Sequence, residues 1–255
     1  MFGDPTLRIY LAGEVAIERG EQLLREADLP GRQGRLALVY LVMERERAVP
    51  QSELAELLWP ESLPPSWPVA LSAVVSKLRQ KLGNLGLDRD RIIANAFRCY
   101  QFRPPIKTWI DLEAAANAVH QAEGALVANR PQAAYGPALI AATIARRPFL
   151  VGEDSPWIVS CRQRQRDVLV RALDCRVEAL LANGEVALAL DQARAAVGLE
   201  PYRESGYRRL MQVLVRQGDR GEAIRVYNNC RRLLADELGV APSSETESLR
   251  RSLAG

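Results

Sequence analysis

Residues 70–83 read ALSAVVSKLRQKLG and place their hydrogen-bonding and cationic groups on one side. On a helical wheel of 3.6 residues per turn, Leu71, Val74, Val75, Leu78 and Leu82 fall in one arc of about 100°, the width of a core-facing stripe. The opposite arc carries Ser72, Ala73, Ser76, Lys77 and Gln80, with Arg79 and Lys81 at its two edges. Small side chains let such a face sit close to flat polar edges. A glutamine amide matches the edge of adenine, and a lysine reaches the acceptors of guanine. Cations at the flanks lie where phosphates would pass. These residue types at this spacing suit a helix that reads a duplex groove.

The charge distribution points the same way. The chain has 255 residues and a net charge of +3, but Lys77 to Lys107 alone holds eight Lys/Arg against two Asp, a net of +6. The remainder therefore sums to −3. Basic charge this local implies one anionic contact surface. Arg98 lies in the same stretch and is placed to enter a neighbouring minor groove.

Other chemistry is not supported. His120 is the only histidine and reads as a solvated helix residue. Asp88 and Asp90 sit among Arg89 and Arg91, which favours ion pairing over paired-carboxylate catalysis. The chain contains no GxxxxGK[ST], GxSxG or HExxH pattern, so no enzyme and no cofactor is expected. Cys99, Cys161, Cys175 and Cys230 lack metal-ligand spacing and read as thiols of a reducing compartment. Cys161 and Cys175 read as packing residues, and Trp157 as an anchor in a helical-repeat core. The longest apolar run, Leu36 to Met43, is eight residues, too short to span a bilayer, and the first residues lack a secretion signal. A cytoplasmic, nucleoid-associated protein without a membrane partner is expected.

Which elements would position this face? The segment LRIYLAGEVAI reads as short strands broken at Gly13, part of a small antiparallel sheet reaching to about Leu29. RQGRLALVYLVMERER carries Leu36, Val39, Tyr40 and Met43 at helical spacing. VPQSELAELLWP is a shorter helix opened near Pro50 and stopped by Pro60, with Leu54, Leu57 and Leu58 inward. A proline-rich loop from Trp59 to Pro68 leads into the basic helix, and a hairpin is expected from about Arg91 to Phe102. Sheet, helix, helix, loop, helix, hairpin is the order of a winged helix, with the third helix offered to DNA and the hairpin as wing.

Beyond Pro104-Pro105 the chain turns almost wholly helical and rich in Ala and Leu. LLANGEVALALDQARAAVGLEP and LVRQGDRGEAIRVYNNCRRLLA align with Gly184 on Gly218, 34 residues apart. Ala189 then falls on Ala223 and Ala193 on Tyr227, a tetratricopeptide-like pattern. Helices near 112–128 and 132–145 read as a degenerate earlier pair, and one near 244–253 as a cap. The fold class expected is an α+β winged helix-turn-helix, residues 1–107, followed by an all-α tetratricopeptide-like repeat domain, residues 108–255.

VALSAVVSKLRQKLG resembles the recognition helix of OmpR-type winged helices, and SELAELLWPE resembles the helix before it. DELGVAPSSETESLRRSL is similar to the closing segment of the bacterial transcriptional activator domain. Together they resemble the antibiotic-regulatory-protein (SARP) family of transcription activators, over about Leu7 to Leu253. The resemblance implies a sequence-specific activator that binds repeats in double-stranded promoter DNA, as side-by-side protomers on direct repeats, and recruits RNA polymerase. It implies DNA contacts at Ser72, Ala73, Ser76, Lys77, Arg79, Gln80, Lys81 and Arg98. It implies a polymerase contact at the Trp59–Pro68 loop, through Trp59, Glu61, Ser62 and Trp67. At the wing, the family's Gly-Tyr-basic-Phe pattern is replaced by Cys99-Tyr100-Gln101-Phe102, and Phe97 stands where a second glycine is common. A reshaped wing turn is the expectation. Two other functions are open: a repeat-based adaptor with a degenerate winged helix, which the glycine-poor wing and modest total charge would suit, and a regulator gated by a small molecule in the repeat concavity, for which no residue identifies a ligand.

Overall fold

A computed structural model describes residues 6–254. Two compact units emerge from the contacts: residues up to 114 together with 147–162, and residues 115–146 together with those from 163 onward.

The first unit opens with β1 (Leu7–Tyr10), β2 (Ala16–Arg19) and β3 (Gln22–Leu24), then α1 (Gly31–Met43), β4 (Val49–Pro50), α2 (Gln51–Leu58) and α3 (Trp67–Asn84). The wing follows as β5 (Ile93–Ala96) and β6 (Cys99–Phe102), and β7 (Thr108–Ile110) closes the series. The three opening strands form the expected antiparallel meander, because Leu7, Ile9 and Ile17 alternate inward against outward Arg8 and Glu18. A fourth strand joins it: β7 pairs parallel with β1, Leu7 opposite Thr108 and Ile9 opposite Ile110. Parallel pairing needs a long crossover, and here the crossover is everything from β2 to β6.

The edge of this unit therefore lies beyond the 107/108 division read from the sequence. Asp111, the first residue of α4 (Asp111–Val127), is 1% exposed and accepts the backbone N–H of Leu11 at 2.9 Å and of Ala12 at 3.0 Å. The segment 147–162 also belongs to it. Phe149, Leu150, Ile158 and Cys161 are buried in the same core as Leu36–Val42 of α1. Trp157 packs on Tyr40 with ring centroids 4.7 Å apart, and its Nε1–H donates to Glu44 Oε1 at 3.0 Å. The expectation that Trp157 anchors the repeat core is thus corrected: its indole serves the winged-helix core. The buried Glu153 carboxylate accepts from Arg32 Nη2 at 2.6 Å and from Arg35 Nη2 at 3.0 Å.

The second unit is all helix. It contains the later part of α4, α5 (Pro131–Ala145), the later part of α6 (Pro156–Ala182), α7 (Val186–Leu199), α8 (Glu204–Gln217), α9 (Arg220–Leu233) and α10 (Ser244–Ala254). The repeat is real at the level of hydrogen bonds. Gly184 and Gly218 both adopt left-handed φ, 78° and 89°. The residue after each donates back five positions, Glu185 to the Leu180 carbonyl and Asp219 to the Leu214 carbonyl, both at 2.9 Å. That is one helix stop used twice, 34 residues apart. Ala189 and Ala223 are fully buried, which lets α7 and α9 each lie close on α8. Glu204 accepts from the Ser243 N–H at 2.9 Å and the Ser243 hydroxyl at 2.8 Å, which docks the start of the closing helix. Among the described residues no helix is long and apolar enough to cross a membrane. Cys161, Cys175 and Cys230 are buried, Cys99 is half-buried, and none forms a disulfide.

Candidate nucleic-acid interface

The interface is built on α3. Leu71, Val75, Leu78 and Leu82 are completely buried and Val74 is half-buried, so the helix is locked in rotation. That locking turns Ser72, Ala73, Ser76, Lys77 and Gln80 outward, all exposed. Pro68 sits in the first turn, where a missing N–H costs nothing, and starts the helix three residues before the quoted stretch. Val69 thereby joins the outward face. It is 71% exposed and, with Pro68, Ser72, Ala73 and Ser76, lines a shallow concavity of about 450 Å³. The sequence reading missed it, although Val69 precedes Ser72, Ala73 and Ser76 by three, four and seven residues, the spacing of one helix face.

Of the two flanking cations, Arg79 is engaged within the fold. Arg79 Nε and Nη2 both donate to the carbonyl of Ile93, at 3.0 and 2.6 Å. Its guanidinium therefore bridges α3 to β5 and ties the angle between α3 and the wing. Lys81 is half-buried at the other edge. Tyr100 is buried beneath the wing. Burial pushes its phenol up, against the nearby Arg79 charge and a hydrogen bond with Ser72.

The wing is a three-stranded sheet in the order β4-β6-β5. Ala96 pairs with Cys99, which leaves only Phe97 and Arg98 in the turn. Both have left-handed φ, 51° and 57°, as a type I′ turn requires of its two central residues. The reshaped wing turn expected from the missing glycine is not seen: two non-glycine residues, Phe97 and Arg98, hold the left-handed conformation. The Gln51 N–H holds it by donating to the Arg98 carbonyl at 2.9 Å, and Gln51 Nε2 donates to Asn95 Oδ1 at 3.3 Å. The start of α2 thus braces the tip. Arg98 is exposed, and Phe97 is 100% exposed.

The helix before α3 is itself clamped. Glu53 of α2 accepts hydrogen bonds from the Tyr40 hydroxyl of α1 and from Arg47. The Arg47 guanidinium holds the Glu53 carboxyl below the usual carboxylate range, while burial and Glu53 push the Tyr40 phenol up to about 12. At the two ends of the loop between α2 and α3, Trp59 and Trp67 are half-buried against the core. Glu61, Ser62 and Leu63 are exposed at its tip. Of the four residues expected to meet a partner there, two anchor the loop and two are free to be touched.

A winged helix with a small, basic outward face on its third helix, followed by tetratricopeptide-like helices, defines the class. Residues 110–254 match the family model described as the bacterial transcriptional activator domain, and the chain belongs to that family. It is 28% identical over 254 residues to the regulatory protein AfsR of Streptomyces griseus, covering 97% of this chain and 24% of that protein. It is 26% identical over 220 residues to the transcriptional regulatory protein EmbR of Mycobacterium tuberculosis, covering 86% of this chain and 56% of that protein. The chain thus spans only part of the length of these relatives. Its fold matches that of Mycobacterium tuberculosis EmbR, solved in complex with a low-affinity phosphopeptide, with a TM-score of 0.87 at 24% identity, over 98% of this chain and 65% of that one. The SARP resemblance read from the motifs holds across both units.

Proposed function

We propose that this chain is a sequence-specific, double-stranded DNA-binding transcription activator whose α3 lies in the major groove. The observation that carries the proposal is the clean division of α3: four fully buried leucine and valine side chains fix it, and Lys77 and Gln80 stand exposed among small residues on the other side. Lys77 and Gln80 read bases, Ser72 and Ser76 supply short hydroxyls, and Val69 and Ala73 meet thymine methyl groups. Arg98 at the wing tip enters the adjacent minor groove. Arg79 sets the spacing between these two contacts, and Lys81 lies toward the phosphates. Protomers sit side by side on direct repeats, and the exposed tip Glu61-Ser62 of the α2–α3 loop meets RNA polymerase at a promoter in the cytoplasm.

The test is selection of duplexes from a randomised pool by the 255-residue chain, followed by footprinting on the selected sequence. Protection of a major groove and its neighbouring minor groove, repeated at a fixed spacing, supports the reading. Failure to enrich any duplex overturns it and leaves the adaptor reading.

A further inference from the structure

Among the described residues of the winged-helix unit, Phe97 is the most exposed aromatic side chain, and it is not part of the unit's core. Its ring is 100% exposed, on a backbone with φ of 51°. Glycine or asparagine occupies that turn position more comfortably, because a side chain with a full Cβ crowds the following carbonyl in the left-handed region. The turn therefore holds a large apolar ring in water at a position whose geometry disfavours it. The fold gains nothing visible from the ring.

The surroundings say what would cover it. Arg98 is the next residue, and the stretch Lys77 to Lys107 carries a net charge of +6. A partner matched to both features is a polyanion with an apolar interior. A DNA duplex is one: phosphates line the rim of its minor groove, and stacked bases lie within. The tip contains only two residues between paired strands, among the narrowest ends a hairpin presents. Its rigidity is secured by the Gln51 N–H on the Arg98 carbonyl. A rigid, narrow tip with an apolar ring beside an arginine has the composition of a minor-groove wedge, in which the cation meets the groove and the ring enters a base step and partly unstacks it.

We infer that Phe97 is such a wedge: it inserts at a flexible base step beside each major-groove site and bends the DNA toward the major groove. Pyrimidine–purine steps unstack most easily, so they are the preferred sequence at the point of entry. This inference rests on the DNA-binding reading above, and deepens it by assigning a bending and specificity role to a residue outside α3.

The experiment uses the duplex selected by the wild-type 255-residue chain, with 2-aminopurine placed at the step under the wing. Three variants are compared with the wild type: Phe97→Asn, Phe97→Gly and Phe97→Trp. Phe97→Asn and Phe97→Gly are expected to melt at or above the wild-type temperature, since both relax the turn. The same two are expected to bind about tenfold more weakly, to lose the 2-aminopurine fluorescence increase, and to bend the duplex less by gel-shift permutation. Phe97→Trp keeps a ring and is expected to bind within about twofold of wild type. Opposite signs for stability and affinity separate a DNA contact from a structural side chain. Wild-type affinity and bending in Phe97→Asn would overturn the inference while leaving the DNA-binding reading intact. A fall in melting temperature in both relaxing variants would also overturn it, by showing that the ring serves the fold. Loss of cooperativity on a two-site duplex with unchanged single-site affinity would overturn it too, and would assign the ring to a neighbouring protomer. If the wild type selects no duplex, the DNA-binding reading fails first, and this inference with it.

Discussion

Replacing Arg79 by alanine separates two roles that a basic residue on a recognition helix can play. If Arg79 met a phosphate, Arg79→Ala would lower the slope of log K against log salt by about 0.9 and leave the fold untouched. The structure gives it a different task. Two of its N–H groups converge on the carbonyl of Ile93, at 3.0 and 2.6 Å. A hydrogen bond from a charged donor is worth about 1.5–3 kcal/mol. Both N–H groups share one acceptor and the side chain is half-exposed, so the lower end, about 1.5 kcal/mol, applies. For a unit of roughly 130 residues that is a fall of about 5 °C in melting temperature. Loss of the strut also frees the wing relative to α3, so affinity falls on every sequence while the salt slope stays within a few tenths of wild type. Thermal unfolding by circular dichroism and a salt titration of duplex binding give both numbers. An unchanged melting temperature with a slope reduced by about one charge would refute the strut and restore Arg79 to the phosphates.

Three further outcomes follow from the packing and the charges. Gly218→Ala meets no neighbouring atom within 4 Å, so its cost is the left-handed φ alone, about 1 kcal/mol by urea unfolding, and Gly184→Ala should cost the same and add to it. Trp157→Ala should cost about 2–4 kcal/mol and strip hydrogen-exchange protection from α1 and α3, whereas a loss confined to α8 and α9 would contradict its place in the first core. Arg47 holds the Glu53 carboxyl low, and Arg171 holds the Glu123 carboxyl low. Depressed carboxylates stabilise the fold above their unfolded pKa of about 4.3 and lose that contribution as pH falls through the folded value. Acid titration of stability should therefore show a steep limb below about pH 4.3, flatter in Glu53→Gln and in Glu123→Gln; identical limbs would contradict the pairs.

Local pattern revealed what local physics controls. The stripe Leu71, Val75, Leu78, Leu82 and its exposed counterface follow from helical periodicity alone, and both are as expected. The glycines at 184 and 218 announced their helix stops because few other residues accept that backbone. What stayed hidden depends on residues distant in sequence. The pairing of β7 with β1 joins positions about a hundred apart, and three residues, Thr108 to Ile110, carry too little pattern to signal a strand. Trp157 follows Pro156 at the start of a long helix, and only the fold shows that its ring meets Tyr40. Arg79 has the same type and wheel position as a phosphate ligand; the carbonyl that captures it lies fourteen residues on, in the wing. Phe97 was read as a lost glycine, and the structure adds that the turn keeps its left-handed shape without one.

The central claim is that the outward face of α3 reads DNA. The most direct measurement is the affinity of the full chain for its selected duplex and for a scrambled duplex of equal length, for wild type and for Lys77→Ala with Gln80→Ala. Both side chains are exposed, so stability should stay within about 0.5 kcal/mol of wild type. Each lost base contact is worth about 1–3 kcal/mol of discrimination. The preference for the selected duplex should therefore fall at least thirtyfold, with weak, salt-dependent binding to both duplexes remaining. A double variant that folds normally and still distinguishes the two duplexes as the wild type does would contradict the account.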